Sequence, residues 1–80
     1  MENYLIDKIE EISFTRVEKG DSLWESRVMD SITIVELAVE IEEEFGINIP
    51  FEEIVVENFE TVELLMTFIT KKQSEKSLKI

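Results

Sequence analysis

The side chains that could do chemistry in this 80-residue sequence are carboxylates and hydroxyls. Its 19 acidic residues are plentiful, but a catalytic carboxylate pair needs a cleft that shifts its pKa values, and so short a chain rarely encloses one. The sequence has no cysteine and no histidine, which excludes thiol nucleophiles, Ser-His-Asp catalysis and the usual zinc sites. Its 2 glycines do not form a phosphate-binding loop. We therefore expect any reactive group to be supplied by another molecule.

One hydroxyl, that of Ser31, is expected to lie at the start of a helix. Asp30 and Ser31 directly precede the clearest helical pattern of the sequence, and either residue is a common helix N-cap. Backbone N–H groups and the positive end of the helix dipole favour a negatively charged group at the start of a helix. From these residues alone, Asp30 or Ser31 is expected to cap the helix.

The elements that position this pair are helices, because apolar residues recur at helical spacing in three segments. We expect the first helix to have Asn3 as its N-cap. The second helix is expected to run from Asp30 or Ser31 to Phe45, and Gly46 ends it in the left-handed conformation that glycine tolerates.

Two further helices are expected in the second half of the chain. Pro50 favours the first position of a short helix at 51–55, and a last helix is expected to start near Glu60. Beyond Lys72 the sequence is polar and is expected to fray, so one domain spans residues 1–72 and a tail spans 73–80. The predicted fold is an all-α four-helix bundle with three longer helices, one short helix and a long loop between helices 1 and 2.

Two groups of apolar residues are assigned to packing. Anchors that hold the long loop on the core are expected at Leu23, Trp24, Val28 and Met29, and Trp24 is interpreted as an anchor rather than a ligand platform. The core is expected to include Phe45, Phe51, Ile54, Phe59, Val62 and Phe68, and an apolar cleft lined by some of them is the alternative.

Charge restricts the partners. Residues 1–70 contain 18 acidic and 4 basic residues, a net charge of −14, whereas the last ten residues carry 4 lysines against Glu75. So negative a body repels nucleic acid and anionic lipid, and basic protein surfaces are its expected partners. Acidity that only maintains solubility remains an alternative. No apolar run approaches the roughly 20 residues that cross a bilayer, and no signal-peptide pattern occurs, so we expect a cytoplasmic protein. We also expect it to be a monomer.

Five short segments follow one another in order over residues 3–70, and together they resemble a known family. The segments are Leu23–Ile32, which contains Asp30-Ser31-Ile32, then Val35–Leu37, Glu42–Ile47, Ile49–Pro50 and Glu57–Val62. They resemble acyl and peptidyl carrier proteins, whose signature at the loop-to-helix junction is Asp-Ser-Leu. Size and acidity match as well.

The resemblance implies a cofactor and its attachment residue. A phosphopantetheinyl transferase would attach 4'-phosphopantetheine from coenzyme A to Ser31, and its thiol would carry cargo as a thioester between a loading ligase or synthase and later biosynthetic enzymes. Asp30 would orient the serine and a magnesium ion in the transferase complex, or cap the helix, or do both. The carrier itself would catalyse nothing and would hold no metal.

The resemblance also implies a docking face on the second helix, for basic patches of partner enzymes. The residues expected there are Ile32, Glu36, Val39, Glu40, Glu42 and Glu43. The alternative is an ordinary solvated helix face.

Three departures from the common pattern leave the cargo open. Thr33 stands where many fatty-acid carriers have an acid, Arg27 stands where glycine is frequent, and the spacing from Pro50 to Val62 is longer than usual. Fatty-acyl or polyketide cargo, aminoacyl cargo such as D-alanine and peptidyl cargo are all compatible with the pattern. An unmodified acidic helical adaptor is the alternative from another class.

Overall fold

The computed structural model describes residues 1–24 and 30–78, with Ser31 and residues 76–78 described through their backbone only. The regular secondary structure of this part of the chain is all helical, with no strand. The elements are α1 (Glu2–Ser13), α2 (Ser31–Phe45), a 3-10 turn (Phe51–Glu53), α3 (Val56–Phe59) and α4 (Val62–Leu78). The predicted all-α bundle, with three longer helices, one short helix and a long loop between the first two, is confirmed.

Helix α1 buries the apolar stripe that its sequence predicts, with Leu5 and Ile9 fully enclosed. It begins at Glu2 without a side-chain cap, so the expected cap at Asn3 is wrong. Its last residue is Ser13. The C-cap, Phe14, adopts the left-handed conformation (φ 60°, ψ 25°) and donates its N–H to the Glu10 carbonyl over 2.8 Å. This conformation is usual for glycine but costly for a bulky residue.

Helix α2 runs antiparallel to α1. The Tyr4 ring meets the Phe45 ring edge-on at 5.5 Å, and the Tyr4 hydroxyl donates to the Glu40 carbonyl. Nearer the end of α1, the Lys8 ammonium lies 3.3 Å from the Glu40 carboxylate. Gly46 ends α2 with φ 64°, as predicted. The start of α2 therefore lies at the same end of this helix pair as the end of α1.

The segment after α2 differs from its prediction. Instead of one short helix over 51–55, a 3-10 turn ends at Glu53, Val55 is extended (φ −129°), and α3 begins at Val56. Consecutive β-branched residues at 54–56 disfavour a continuous helix, and the Asn58 side-chain amide donates to the Glu53 carbonyl to stabilise the break. Phe51 is consequently 80% exposed, so its assignment to the core is wrong.

Helix α4 starts at Val62 rather than near Glu60, and the Thr61 hydroxyl accepts the N–H of Leu64 over 3.1 Å. The helix continues to Leu78, beyond Lys72, the last residue of the domain predicted from the sequence. The Lys72 ammonium lies 2.8 Å from the Glu53 carboxylate, which joins α4 to the 3-10 turn. Fraying of residues 73–80 stays a prediction. No helix within the described ranges combines the length and the hydropathy needed to cross a membrane.

The long loop returns to the core instead of projecting from it. Val17 and Leu23 are buried, and Trp24 packs against the same apolar cluster. Leu23 donates its N–H to the Glu60 carbonyl over 2.7 Å, and the Lys19 carbonyl accepts from the Glu63 N–H. The predicted anchoring by Leu23 and Trp24 is confirmed, whereas Val28 and Met29 lie outside the described residues.

The remaining predicted core positions are packed as expected. Phe59 and Val62 are fully buried, and the Phe68 ring lies 5.7 Å from that of Phe59. Phe45 and Ile54 are partly buried against the same cluster.

Candidate functional site

Ser31 is the first residue of α2, and Asp30 is its N-cap. Asp30 has an extended backbone, and its carboxylate accepts the N–H of Thr33 over 2.7 Å while its carbonyl accepts the N–H of Ile34. The first turn of any helix offers N–H groups that have no intrahelical partner, and Asp30 occupies the one from Thr33. Of the two predicted caps, the structure selects Asp30.

The Asp30 carboxylate is held in its charged form. The backbone N–H of Thr33 is the main cause that lowers the pKa of Asp30 below its ordinary value of 3.8. Because Asp30 is exposed, this charged carboxylate can also be approached by another molecule. The capping role of Asp30 is confirmed, and its role beside a magnesium ion in a transferase complex stays a prediction.

The surroundings of Ser31 suit a covalently attached phosphodiester. Asp30 is exposed on one side of it, and Ile32 is 70% exposed on the other. The first turn of α2 contains no acidic residue, so Asp30 is the one carboxylate among the described residues of this junction. The helix dipole favours a negative charge there. The Ser31 hydroxyl itself lies outside the described atoms, and its modification remains a prediction.

The structure divides the predicted acidic face of α2 into two classes. Glu36 and Glu43 are exposed, lie two turns apart on one line, and belong to no ion pair among the described residues. Glu40 is half-buried and paired with Lys8, and the Glu42 carboxylate accepts the N–H of Ile49 over 2.7 Å. The carboxylates of Glu40 and Glu42 therefore stabilise the fold. Those of Glu36 and Glu43 remain free to bind a partner.

Exposed apolar residues run along the same line of α2. Ile32, Val35 and Val39 are all exposed, and Val39 is 45% accessible. Val35 and Val39 also line an open groove between α1 and α2, together with Lys8 and Ile12. Sequence reasoning missed Val35, although its position one turn after Ser31 and off the core stripe was a usable signal.

A second feature missed from the sequence is the indole N–H of Trp24. This atom is buried and has no hydrogen-bond partner among the described residues. Burial of an unpaired donor costs about 1–3 kcal/mol. Single-residue patterns do not reveal such an atom, because its surroundings come from distant parts of the chain.

Comparison with models of known protein families identifies a family for this chain. A family model described as the phosphopantetheine attachment site matches residues 28–69, which is more than half of the chain. The match contains all of α2 and α3 and the first part of α4, and it leaves out α1. No curated protein matches the sequence.

Proposed function

Because the chain belongs to the phosphopantetheine attachment site family, we propose that it is an acyl carrier protein modified at Ser31. Its cofactor is covalent 4'-phosphopantetheine. The observation that carries the assignment to Ser31 is that residues 28–69 contain no other serine. That serine is also the first residue of α2, between two exposed neighbours.

The arm supplies a terminal thiol that holds acyl cargo as a thioester. The chain itself has no cysteine, so the reactive sulfur comes with the cofactor. The residues of the chain position the attachment point: Asp30 fixes the first turn of α2 through Thr33, and the free N–H groups of that turn favour a phosphodiester charge. Carriers of this kind are non-catalytic, and we assign no catalytic residue.

Recognition would use the exposed line of α2. Glu36 and Glu43 offer unpaired charges to basic patches of the transferase, of a loading ligase or synthase, and of later biosynthetic enzymes. Ile32, Val35 and Val39 offer apolar area on the same face of α2. Charge complementarity of this type accelerates encounter and rejects wrong partners, and the same negative charge disfavours nucleic acid and membrane surfaces.

The cargo we propose is an acyl intermediate of a fatty-acid, polyketide or related pathway in the cytoplasm. Aminoacyl cargo such as D-alanine, or peptidyl cargo, is the alternative. The long Pro50–Val62 segment, which contains the 3-10 turn and α3, is closer to that of stand-alone carriers of secondary metabolism or of D-alanyl transfer. The specificity of the loading ligase would distinguish these cargoes.

The test is modification in vitro. The protein is incubated with coenzyme A and a broad-specificity phosphopantetheinyl transferase, and intact mass is followed by peptide fragmentation. We expect a gain equal to one arm, located on Ser31, in the wild type and in a Ser74→Ala control, and none in Ser31→Ala. No gain in the wild type would support the unmodified adaptor instead.

A further inference from the structure

The indole N–H of Trp24 stands apart from the other buried polar groups. Among the described residues it is the one buried side-chain donor or acceptor without a partner. Other part-buried donors are used: the Tyr4 hydroxyl donates to Glu40, and the Asn58 amide donates to Glu53. An indole N–H can only donate, so the group that would satisfy it must be an acceptor.

The protein holds Trp24 in place. Its ring packs against the apolar core, and the preceding Leu23 is fully buried with its N–H bonded to the Glu60 carbonyl at 2.7 Å. Swinging the indole into water would therefore remove it from its packing against the core. The donor is thus fixed within the fold, and an acceptor has to come to it.

The attachment residue lies close along the chain. Trp24 precedes Ser31 by seven positions, so even a fully extended connection spans at most about 25 Å. The pantetheine arm is flexible and contains amide carbonyls, and loaded cargo adds a thioester carbonyl. These carbonyl oxygens are neutral acceptors, which suits a donor in an apolar setting because no charge has to be buried.

We propose that the Trp24 indole N–H is a hydrogen-bond site for a carbonyl oxygen of the Ser31-linked arm or of its cargo. The inference rests on the proposed function, since it requires an arm on Ser31. It makes Trp24 a positioning residue that holds the arm or its cargo against the core between encounters with partner enzymes.

The sequence provides a direct readout, because it contains 1 tryptophan and thus gives one indole resonance. We would record nitrogen–proton correlation spectra of isotopically labelled apo, holo and acyl-loaded protein, with the state of each sample confirmed by mass. A downfield shift and slower solvent exchange of the indole proton in the holo form identify an arm carbonyl. The same change only after loading identifies a cargo carbonyl.

The controls separate failure of this inference from failure of the proposed function. Ser31→Ala treated with transferase should keep the apo resonance. If mass shows a complete arm and cargo on Ser31 but the indole signal is unchanged in both forms, the inference is overturned and the carrier function stands. If no arm is accepted, the carrier function itself has failed.

A variant gives a second readout. Trp24→Phe keeps an aromatic ring in the core and removes the N–H. We expect loading to raise the melting temperature of the wild type and to raise that of Trp24→Phe much less. Because each protein is compared with its own apo form, a general loss of stability in the variant does not affect the comparison. Equal increases in both proteins would overturn the proposal.

Discussion

Asp30 caps α2, and the contribution of its charge to the stability of the fold depends on pH. The bond from the Thr33 N–H lowers the pKa of Asp30 in the folded protein, so the carboxylate stabilises the fold above its ordinary pKa. That contribution is lost as the pH falls through the lower folded value.

In the variant Asp30→Asn, we expect the cap to persist, because an amide oxygen can still accept from Thr33. The difference in free energy of unfolding between wild type and variant should be constant above about pH 5 and should shift against the wild type below about pH 4. Denaturant titrations over this range measure it. A difference that does not change with pH would show that the charge of Asp30 does not contribute.

The same variant tests the transferase role. If Asp30 orients the serine and a magnesium ion in that complex, kcat/KM for modification should fall about tenfold or more, equivalent to about 1.4 kcal/mol, while the fold stays intact. The matched control is Asp21→Asn, since the Asp21 carboxylate also accepts a backbone N–H, from Glu18 at 2.9 Å. Equal rates for wild type and Asp30→Asn would leave capping as its single role.

At the scale of the elements, the end of α1 carries a local cost. Phe14 is 91% exposed and, apart from glycine, is the one described residue with positive φ. An L-residue pays about 1–2 kcal/mol in this conformation, and glycine does not. No contact of the Phe14 ring with the core offsets this cost.

We expect Phe14→Gly to increase the free energy of unfolding by up to about 1 kcal/mol, since relief of the left-handed strain exceeds the added entropy of the unfolded chain. Phe51→Gly is the matched control: Phe51 is similarly exposed but lies in the 3-10 turn, so this change should lower stability by about 0.5–1 kcal/mol. Chemical denaturation of both variants measures the two changes in free energy of unfolding, which should have opposite signs. The same sign in both would contradict the argument.

The unpaired glutamates of α2 predict a salt-dependent response to charge reversal. Glu36→Lys and Glu43→Lys should each slow modification several-fold at low ionic strength, and the effect should shrink as salt is added. Glu44→Lys is the control, because Glu44 is also exposed but adjoins Glu43 on a different side of the helix. The measurement is the rate of modification by the transferase across a series of salt concentrations. If all three variants respond alike, the proposed role of Glu36 and Glu43 is wrong.

At the scale of the whole molecule, the net charge of −14 on residues 1–70 opposes compaction. We expect added sodium chloride or magnesium chloride to raise the melting temperature by several degrees. No cluster of three metal-binding side chains occurs among the described residues, so the two salts should act similarly at equal ionic strength. Thermal unfolding measures this, and a flat response would show that repulsion is minor.

Helix α2 was predictable from local sequence. Its core stripe has helical spacing, and Gly46 marks its end. The Asp30–Ser31 junction was found the same way, because capping residues and the family motif are both contiguous in sequence. These features depend on neighbours within one or two turns, which is the range that pattern reasoning covers.

Features that depend on distant residues were not predictable. The pairing of Glu40 with Lys8 joins two helices. The hydrogen bond from the Asn58 amide to the Glu53 carbonyl stabilises the break between the 3-10 turn and α3, where the sequence pattern predicted one short helix. The exposure of Phe51 follows from that break, and the unpaired N–H of Trp24 follows from tertiary packing. In each case the deciding contact lies outside the helical repeat.

The two backbone bonds of the long loop also affect the order of events during synthesis. Leu23 is held by the Glu60 carbonyl, and Lys19 accepts from the Glu63 N–H, so the acceptor and donor that fix this loop are translated long after it. While those later residues are still inside the ribosomal tunnel, the loop lacks both of these backbone hydrogen bonds. A nascent chain can therefore form these two backbone bonds only after Glu60 and Glu63 have emerged from the ribosome.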